Sequence, residues 1–387
     1  MCRLGQKKSR KGCINCKRRR VKCDELAPCR NCIRRGEDCS LLAPSPSSAS
    51  ERHDMAAEAS ATPQEWMDDL ALMRHFVKWT TKEPFGAREE VQYLWQEVVT
   101  DMALEYPFLM HGVLSLASLH LVHVKPEEAD KYLRICDRHQ TRAVEMFRGL
   151  LSSEIVAQNA TPMFALSSCI SIASMSRQCA TAAIQPEPQF VDIDQVCEMF
   201  LLTRGVADVV SACHESISKG PLAAMMTGYL LPADEDPLAL PTTVTQRLED
   251  LYHLAEKACP EEDKFDACKH ALLQLDKTYQ AIAYYDARNE LQTGHAWSWM
   301  TSIPFLFVLM IQAREPVALI ILADFAAASM SIESAWYTQK WGSYCLQGIS
   351  MTLKDVEAGD WLEWPRRHAQ SNMSVLRQSK TPVNAAP

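Results

Sequence analysis

From Trp66 onward, apolar side chains return every three to four residues, the interval that gathers them on one face of an α-helix. Trp66, Leu70, Met73, Phe76 and Val77 set this pattern. Between Tyr106 and His123 the apolar residues run nearly all round (Phe108, Leu109, Met110, Val113, Leu114, Leu116, Leu119, Leu121, Val122), which predicts a buried helix rather than a surface one. Pro126 suits the first turn of the next helix, with Glu127 and Glu128 near the positive end of its dipole. Tyr132, Ile135, His139, Ala143, Met146 and Leu150 continue it. Further apolar helical stretches run over roughly 163–177, 191–214, 243–258, 263–288, 303–312 and 316–330. Strand alternation bounded by hairpin turns is not evident, and 13 glycines in 387 residues is low for a sheet-rich chain. The pattern predicts an all-α domain over residues 64–365.

Outside those limits the periodicity fails. Residues 40–63 hold 6 Ser, 6 Ala and 3 Pro among 24, too little apolar surface to fold, and read as a flexible linker. No a/d heptad is sustained over three or four repeats, so a coiled-coil zipper after the linker is unsupported. Residues 1–12 carry Arg3, Lys7, Lys8, Arg10 and Lys11, a basic tail suited to phosphate contact or nuclear import. Residues 366–387 are mostly polar and predict a disordered tail.

Residues 13–39 follow a different rule. Cys13, Cys16 and Cys23 recur sixteen positions later as Cys29, Cys32 and Cys39, giving C-x2-C-x6-C-x5-C-x2-C-x6-C. A C-x2-C pair brings two thiolates from one tight turn to one tetrahedral zinc, and a third cysteine follows in each half. Three thiolates leave each metal one ligand short. Six therefore fill two sites only if two sulfurs bridge, which gives a binuclear cluster with two Zn2+ per chain. A disulfide framework also uses six cysteines, but it would not demand two C-x2-C turns flanking a run of arginines. Between Cys16 and Cys23 lies Lys17-Arg18-Arg19-Arg20-Val21-Lys22, five basic residues in six.

Charge sharpens that division. The whole chain is formally −8, which by itself argues against a nucleic-acid partner. Residues 1–39, however, hold 13 Lys/Arg against 4 Asp/Glu, a formal +9, and the remainder carries −17. Six thiolates with two zinc ions leave the N-terminal unit near +7. The other nine cysteines, Cys2, Cys136, Cys169, Cys179, Cys197, Cys213, Cys259, Cys268 and Cys345, form no C-x2-C pair and read as reduced thiols of a reducing compartment. Met1 to Lys11 is polar and basic, unlike a signal peptide. The longest uninterrupted apolar run, Ile303–Ile311, holds nine residues, too few to cross a bilayer. The expectation is a soluble intracellular protein with no membrane partner.

The cysteine pattern resembles the Zn2Cys6 binuclear-cluster DNA-binding domain of fungal transcription factors. The resemblance implies a pseudo-symmetric unit of two short helices, with Cys13 and Cys29 bridging the metals. Cys16 and Cys23 would complete one zinc, and Cys32 and Cys39 the other. Pro28 matches the proline usual in the connecting loop. The first helix is expected over Lys17 to Lys22, entering the major groove of double-stranded DNA. Arg19 and Arg20 are then assigned to base edges, because a guanidinium can donate a bidentate fork to guanine. Lys17, Arg18 and Lys22 are assigned to phosphates, as are Arg30, Arg34 and Arg35 of the second half. Nuclear localisation and control of RNA polymerase II genes through a CGG-like site follow from the same resemblance.

The helical body is similar in Tyr106–His111, Leu116–Leu121, Tyr132, His139-Gln140 and Glu315–Phe325, with Trp336 and Trp341-Gly342, to the regulatory domain of sterol-uptake-control-type factors. That likeness implies a regulatory domain, in some relatives with a pocket for a small hydrophobic ligand, and a sterol-related or secondary-metabolite pathway. Self-association or co-regulator contact would fall to the same domain. Other candidates read as structural: His120 with His123, Cys136 with His139, and Asp68-Asp69 as a solvated helix start. Trp297, Trp299, Trp336, Trp341, Trp361 and Trp364 read as core, with a pocket wall as the functional alternative. GxGxxG, P-loop, GxSxG and HExxH patterns are absent, so the sequence predicts no enzyme. The competing reading is a ligand sensor or scaffold whose cluster is mainly structural.

Overall fold

The computed structural model describes residues 12–19, 21–26, 28–35, 39, 41, 62–82, 88–148, 159–226, 232, 239–333, 335–356 and 359–370. Tail residues 1–11 and 371–387, and all of the predicted linker except Leu41, Thr62 and Pro63, lie outside them. The chain divides into two units, Met1–Asp68 and Asp69–Pro387. No strand occurs among the described residues.

The first unit holds two one-turn helices, Ile14–Arg18 and Arg30–Ile33. Its interior is made of Cys13, Cys16, Cys23, Cys29, Cys32 and Cys39, with Leu41 partly buried against them. The aliphatic side chains that might have formed a core point outward: Ile14 is 68% exposed and Ile33 59%. At the far end of this unit begins the Pro63–His75 helix. Thr62 and Glu65 cap it reciprocally: the Glu65 amide donates to Thr62 Oγ1 (3.2 Å) and the Thr62 amide to Glu65 Oε2 (2.7 Å). Two of the helix's orphan donors are thereby satisfied.

The second unit is an all-α array around one large apolar core. Its central helix, Pro107–Val124, starts on a proline at a position that needs no amide donor. It packs against Ala129–Arg148 and Ala160–Ala183. By length and apolarity this helix could cross a membrane, but 67% of it is buried inside the unit, as befits a core helix. Pro126–Glu128 form a 3-10 turn ahead of Ala129–Arg148. The remaining predicted stretches appear as Ala160–Ala183, Ile193–Ala212, Thr242–Ala258, Glu262–Ala287, Phe305–Gln312 and Pro316–Ser329.

Among the described residues, four further helical runs of ten residues or more went unread in the sequence: the Glu89–Glu105 run, Thr293–Ser302, Trp341–Thr352 and Gly359–Gln370. The first is interrupted by a π turn at Leu94–Val98, and the last contains Pro365, so neither keeps a clean 3.6-residue period. Trp341–Thr352 packs closely on Pro316–Ser329, and a Cβ at Gly342 would overlap the Ala326 carbonyl oxygen.

Pro316–Ser329 is buried over almost its whole length and carries Asp324 at 0% exposure. That carboxylate is held by Arg247, whose Nε donates at 2.8 Å and Nη2 at 2.7 Å. The same Nη2 donates to the Trp361 carbonyl at 2.8 Å, and the guanidinium lies over the Trp361 and Trp364 rings. One buried ion pair therefore ties the Thr242–Ala258, Pro316–Ser329 and Gly359–Gln370 helices together. Of the clustered tryptophans, Trp297, Trp299, Trp336 and Trp341 are buried, and Trp361 and Trp364 pack partly buried against the core.

Candidate metal centre and nucleic-acid interface

The two halves of the first unit are built alike. Cys13 and Cys29 stand immediately before the two short helices. The Cys13 amide donates to Cys23 Sγ (3.4 Å), and sixteen residues on the Cys29 amide donates to Cys39 Sγ (3.3 Å). Across the halves, Cys13 Sγ lies 3.7 Å from Cys32 Sγ, and Cys29 Sγ lies 3.7 Å from Cys16 Sγ. Cys13 and Cys29 Sγ are themselves 3.7 Å apart. Each relation maps onto its partner when the halves are exchanged.

Those separations have a chemical meaning. Sulfurs at about 2.3 Å from a tetrahedral zinc stand about 3.8 Å from one another. The three contacts thus match edges of metal–sulfur tetrahedra, and the Sγ atoms of Cys13, Cys16, Cys29 and Cys32 all fall within 4.8 Å of one another. Cys23 Sγ and Cys29 Sγ are grouped equally tightly. Six buried sulfurs without an apolar core are a poor filling for a protein interior and a complete donor set for two zinc ions.

Burial favours the neutral thiol at three of these positions. Burial pushes the Cys16 thiol up to about 12, reinforced by the neighbouring thiols of Cys13 and Cys29, and burial raises Cys29 and Cys32 as well. At Cys13 burial also acts upward, but the Cys16 amide and the surrounding thiols outweigh it and bring the group down to about 6. That amide donates to Cys13 Sγ at 3.3 Å. Metal binding must therefore displace protons from Cys16, Cys29 and Cys32.

The helix expected over Lys17 to Lys22 lies instead at Ile14–Arg18. Its end is closed by the Val21 amide on the Cys16 carbonyl (3.1 Å), after which residues 21–26 are not helical. The reason is geometric. Cys23 Sγ has to return to the Cys13 amide, and a helix continued to Lys22 would carry it away. Lys17 and Arg18 are exposed on the helix, Arg19 is its half-buried C-cap, and Lys22 is exposed on the returning segment. Arg20 lies outside the described residues. In the second half Arg30, Arg34 and Arg35 are all exposed.

Sequence reasoning passed over two residues that brace the halves. Asp24 Oδ2 accepts from the Arg30 amide at 3.1 Å, and Asn31 Nδ2 donates to the Lys22 carbonyl at 2.9 Å. Their partners are backbone atoms six and nine residues away, so no spacing rule marks them.

In the helical body the rejected metal candidates have other company. His120 Nδ1 lies 3.1 Å from His75 Nε2 and 3.0 Å from Thr80 Oγ1, and its ring faces Trp336. His139 Nδ1 meets His111 Nδ1 at 2.8 Å. Burial lowers His120 to about 3 and His75 and His111 to about 4, keeping those rings neutral near pH 7. Asp68 and Asp69 form no solvated helix start. Both are half-buried within Pro63–His75, and Asp69 Oδ1 accepts from Arg138 Nη2 (2.9 Å) and approaches His139 Nε2 (3.2 Å). Among the described residues, each cluster of three or more candidate metal ligands lies in the cysteine unit. Cys136, Cys169, Cys179, Cys197, Cys213, Cys259, Cys268 and Cys345 are buried free thiols.

Residues 11–48 match the fungal Zn(2)-Cys(6) binuclear cluster domain. Over 225 residues the chain is 30% identical to Zn(2)-C6 fungal-type transcription factor afumD of Aspergillus fumigatus, covering 56% of this chain and 57% of the relative. It is 24% identical over 325 residues to a Zn(2)-C6 fungal-type transcription factor of Gibberella zeae, covering 81% and 64%. It is 23% identical over 303 residues to the orsellinic acid/F9775 biosynthesis cluster protein D of Emericella nidulans, covering 74% and 56%. The chain thus spans less than two thirds of the length of each relative. The likeness of the helical body to sterol-uptake-control-type factors gains no support from these matches.

Proposed function

With residues 11–48 belonging to the fungal Zn(2)-Cys(6) binuclear cluster family, we propose that the chain is a sequence-specific DNA-binding regulator of RNA polymerase II genes. The observation that carries this reading is the two-fold set of six thiols with exposed cations on both halves. Cys13 and Cys29 are the bridging sulfurs, each one tetrahedral edge from the other and from a thiol of the opposite half. Cys16 and Cys23 complete one zinc, Cys32 and Cys39 the other. The metals hold the short helices in place, which presents Lys17 and Arg18 with Arg19 at the helix end. Arg19 and Arg20 read base edges in the major groove of a G·C-rich triplet. Lys17, Arg18, Lys22, Arg30, Arg34 and Arg35 hold phosphates and release counterions, so binding falls steeply with salt. The site of action is the nucleus. The name of the Emericella relative supports a secondary-metabolite pathway over a sterol one.

Selection from a random duplex pool with the zinc-loaded full chain tests the reading. A short G·C-rich triplet, single or paired at fixed spacing, is the expected enrichment. Failure to enrich any sequence at physiological salt would favour the sensor or scaffold reading. Lys22→Ala should weaken all duplexes alike, whereas Arg20→Ala should relax preference at one base pair.

A further inference from the structure

The helical body contains a cavity of about 440 Å3, within the size range of small-molecule sites. It opens where the Ala160–Ala183, Ile193–Ala212 and Thr293–Ser302 helices meet, and Trp95, Phe164 and Trp297 supply flat aromatic wall. No Lys, Arg, His, Asp or Glu lines it among the described residues. A charged ligand would therefore be desolvated there without a counter-charge.

The polar side chains that line the cavity sort into two groups. Ser168, Ser298, Thr301 and Ser302 each donate to a carbonyl of their own helix, and Thr293 Oγ1 pairs with Tyr337 Oη at 2.9 Å. Ser171 Oγ, Thr203 Oγ1 and Trp297 Nε1 are buried and have no hydrogen-bond partner among the described residues. Thr203 and Trp297 are both 8% exposed. Two neighbouring indoles show the contrast: Trp299 Nε1 donates to the Ala271 carbonyl and Trp341 Nε1 to Gln178 Oε1, both at 2.9 Å. Trp336 Nε1 also lacks a partner but does not line the cavity. A buried donor left unmatched is costly, so three of them on one apolar cavity call for an occupant.

We infer that this cavity is a binding site for a neutral, planar aromatic ketone whose carbonyl oxygen accepts from the donors Trp297 Nε1, Ser171 Oγ and Thr203 Oγ1. The indole can only donate, which makes an acceptor obligatory, and the hydroxyls can serve either way. The aromatic walls favour a flat ring system over an aliphatic chain. The site is independent of the zinc unit's role, so its failure leaves the proposed DNA reading standing.

Calorimetric titration of the zinc-loaded full chain tests it with three matched probes: xanthone, xanthene (a methylene in place of the carbonyl) and xanthone-2-carboxylate. Xanthone should bind at one site per chain, xanthene about tenfold or more weaker, and the carboxylate below detection. Thr203→Val and Trp297→Phe should each weaken xanthone about fivefold while leaving xanthene unchanged, a selectivity that misfolding cannot mimic. The inference is overturned if xanthone shows no saturable binding, or if the ketone and methylene probes bind alike. Equal losses for both probes in the variants, tight binding of the carboxylate, or saturable binding of cholesterol in place of xanthone would overturn it equally.

Discussion

Among the described residues of the cysteine unit the buried side chains are six thiols, and Ile14 and Ile33 are left 68% and 59% exposed. In the helical body the fully buried side chains include Trp299, Trp341, Phe200, Phe307 and Phe325, and whole helices such as Pro316–Ser329 vanish from solvent. The first unit is too small to gain stability from apolar burial and relies on metal–sulfur bonds, which are strong and directional. The second relies on many weak contacts and can tolerate the loss of most of them singly. The difference predicts that the two units fail under different insults.

The largest effect should follow zinc removal. Structural zinc sites of this kind contribute about 10–16 kcal/mol in apparent terms, so a strong chelator should unfold the cysteine unit and abolish duplex binding. The thermal transition of the helical body should remain where it was, as differential scanning calorimetry would register. A body that melts together with the chelated cluster would break the contrast.

Next comes the buried Arg247–Asp324 ion pair. Arg247→Met would leave the fully buried Asp324 carboxyl without its partner, forcing it to take up a proton in a site shaped for an ion pair, and should cost about 3–5 kcal/mol in chemical denaturation. The double change Arg247→Met with Asp324→Leu should recover much of that loss, because a desolvated pair contributes little net stability over apolar residues of similar size. No recovery would mean that the pair orders the Gly359–Gln370 helix beyond simple charge compensation.

A smaller cost should attend Gly342→Ala, whose added methyl meets the Ala326 carbonyl oxygen and forces two core helices apart, by about 1–3 kcal/mol. Smaller still is a pH effect at Glu333. Burial raises this carboxyl to about 7, although the Gly342, Lys340 and Ser343 amides act in the opposite direction. Its folded value lies above the ordinary 4.5, so the folded state binds more protons than the unfolded one between about pH 4.5 and 7. Stability should therefore decline as pH rises through that window, by on the order of 1–2 kcal/mol given partial exposure. Glu333→Gln should flatten this part of the denaturation profile.

The same contrast governs what the sequence discloses. The ligands of the metal site lie within 27 residues, so their spacing carries the chemistry on its face. What spacing misstated was the helix, because the return of Cys23 to the Cys13 amide is a tertiary demand placed on a short segment. In the body, the apolar residues running nearly all round between Tyr106 and His123 made the central helix plain. The Arg247–Asp324 pair spans 77 residues and joins an amphipathic helix to an otherwise apolar one, and no periodicity points from one to the other. The unpartnered Thr203 and Trp297 donors are likewise a property of packing, since serine, threonine and tryptophan on neighbouring helices ordinarily find partners.

In the proposed reading, two metals held by six thiolates stand in for a hydrophobic core and thereby create a surface that reads DNA. Titrating zinc into the apo full chain, while following thiolate–metal formation and duplex binding together, tests it most directly. A break is expected at two zinc ions per chain, with affinity for the selected duplex appearing in step. Saturation at one metal, or duplex binding indifferent to zinc, would contradict it.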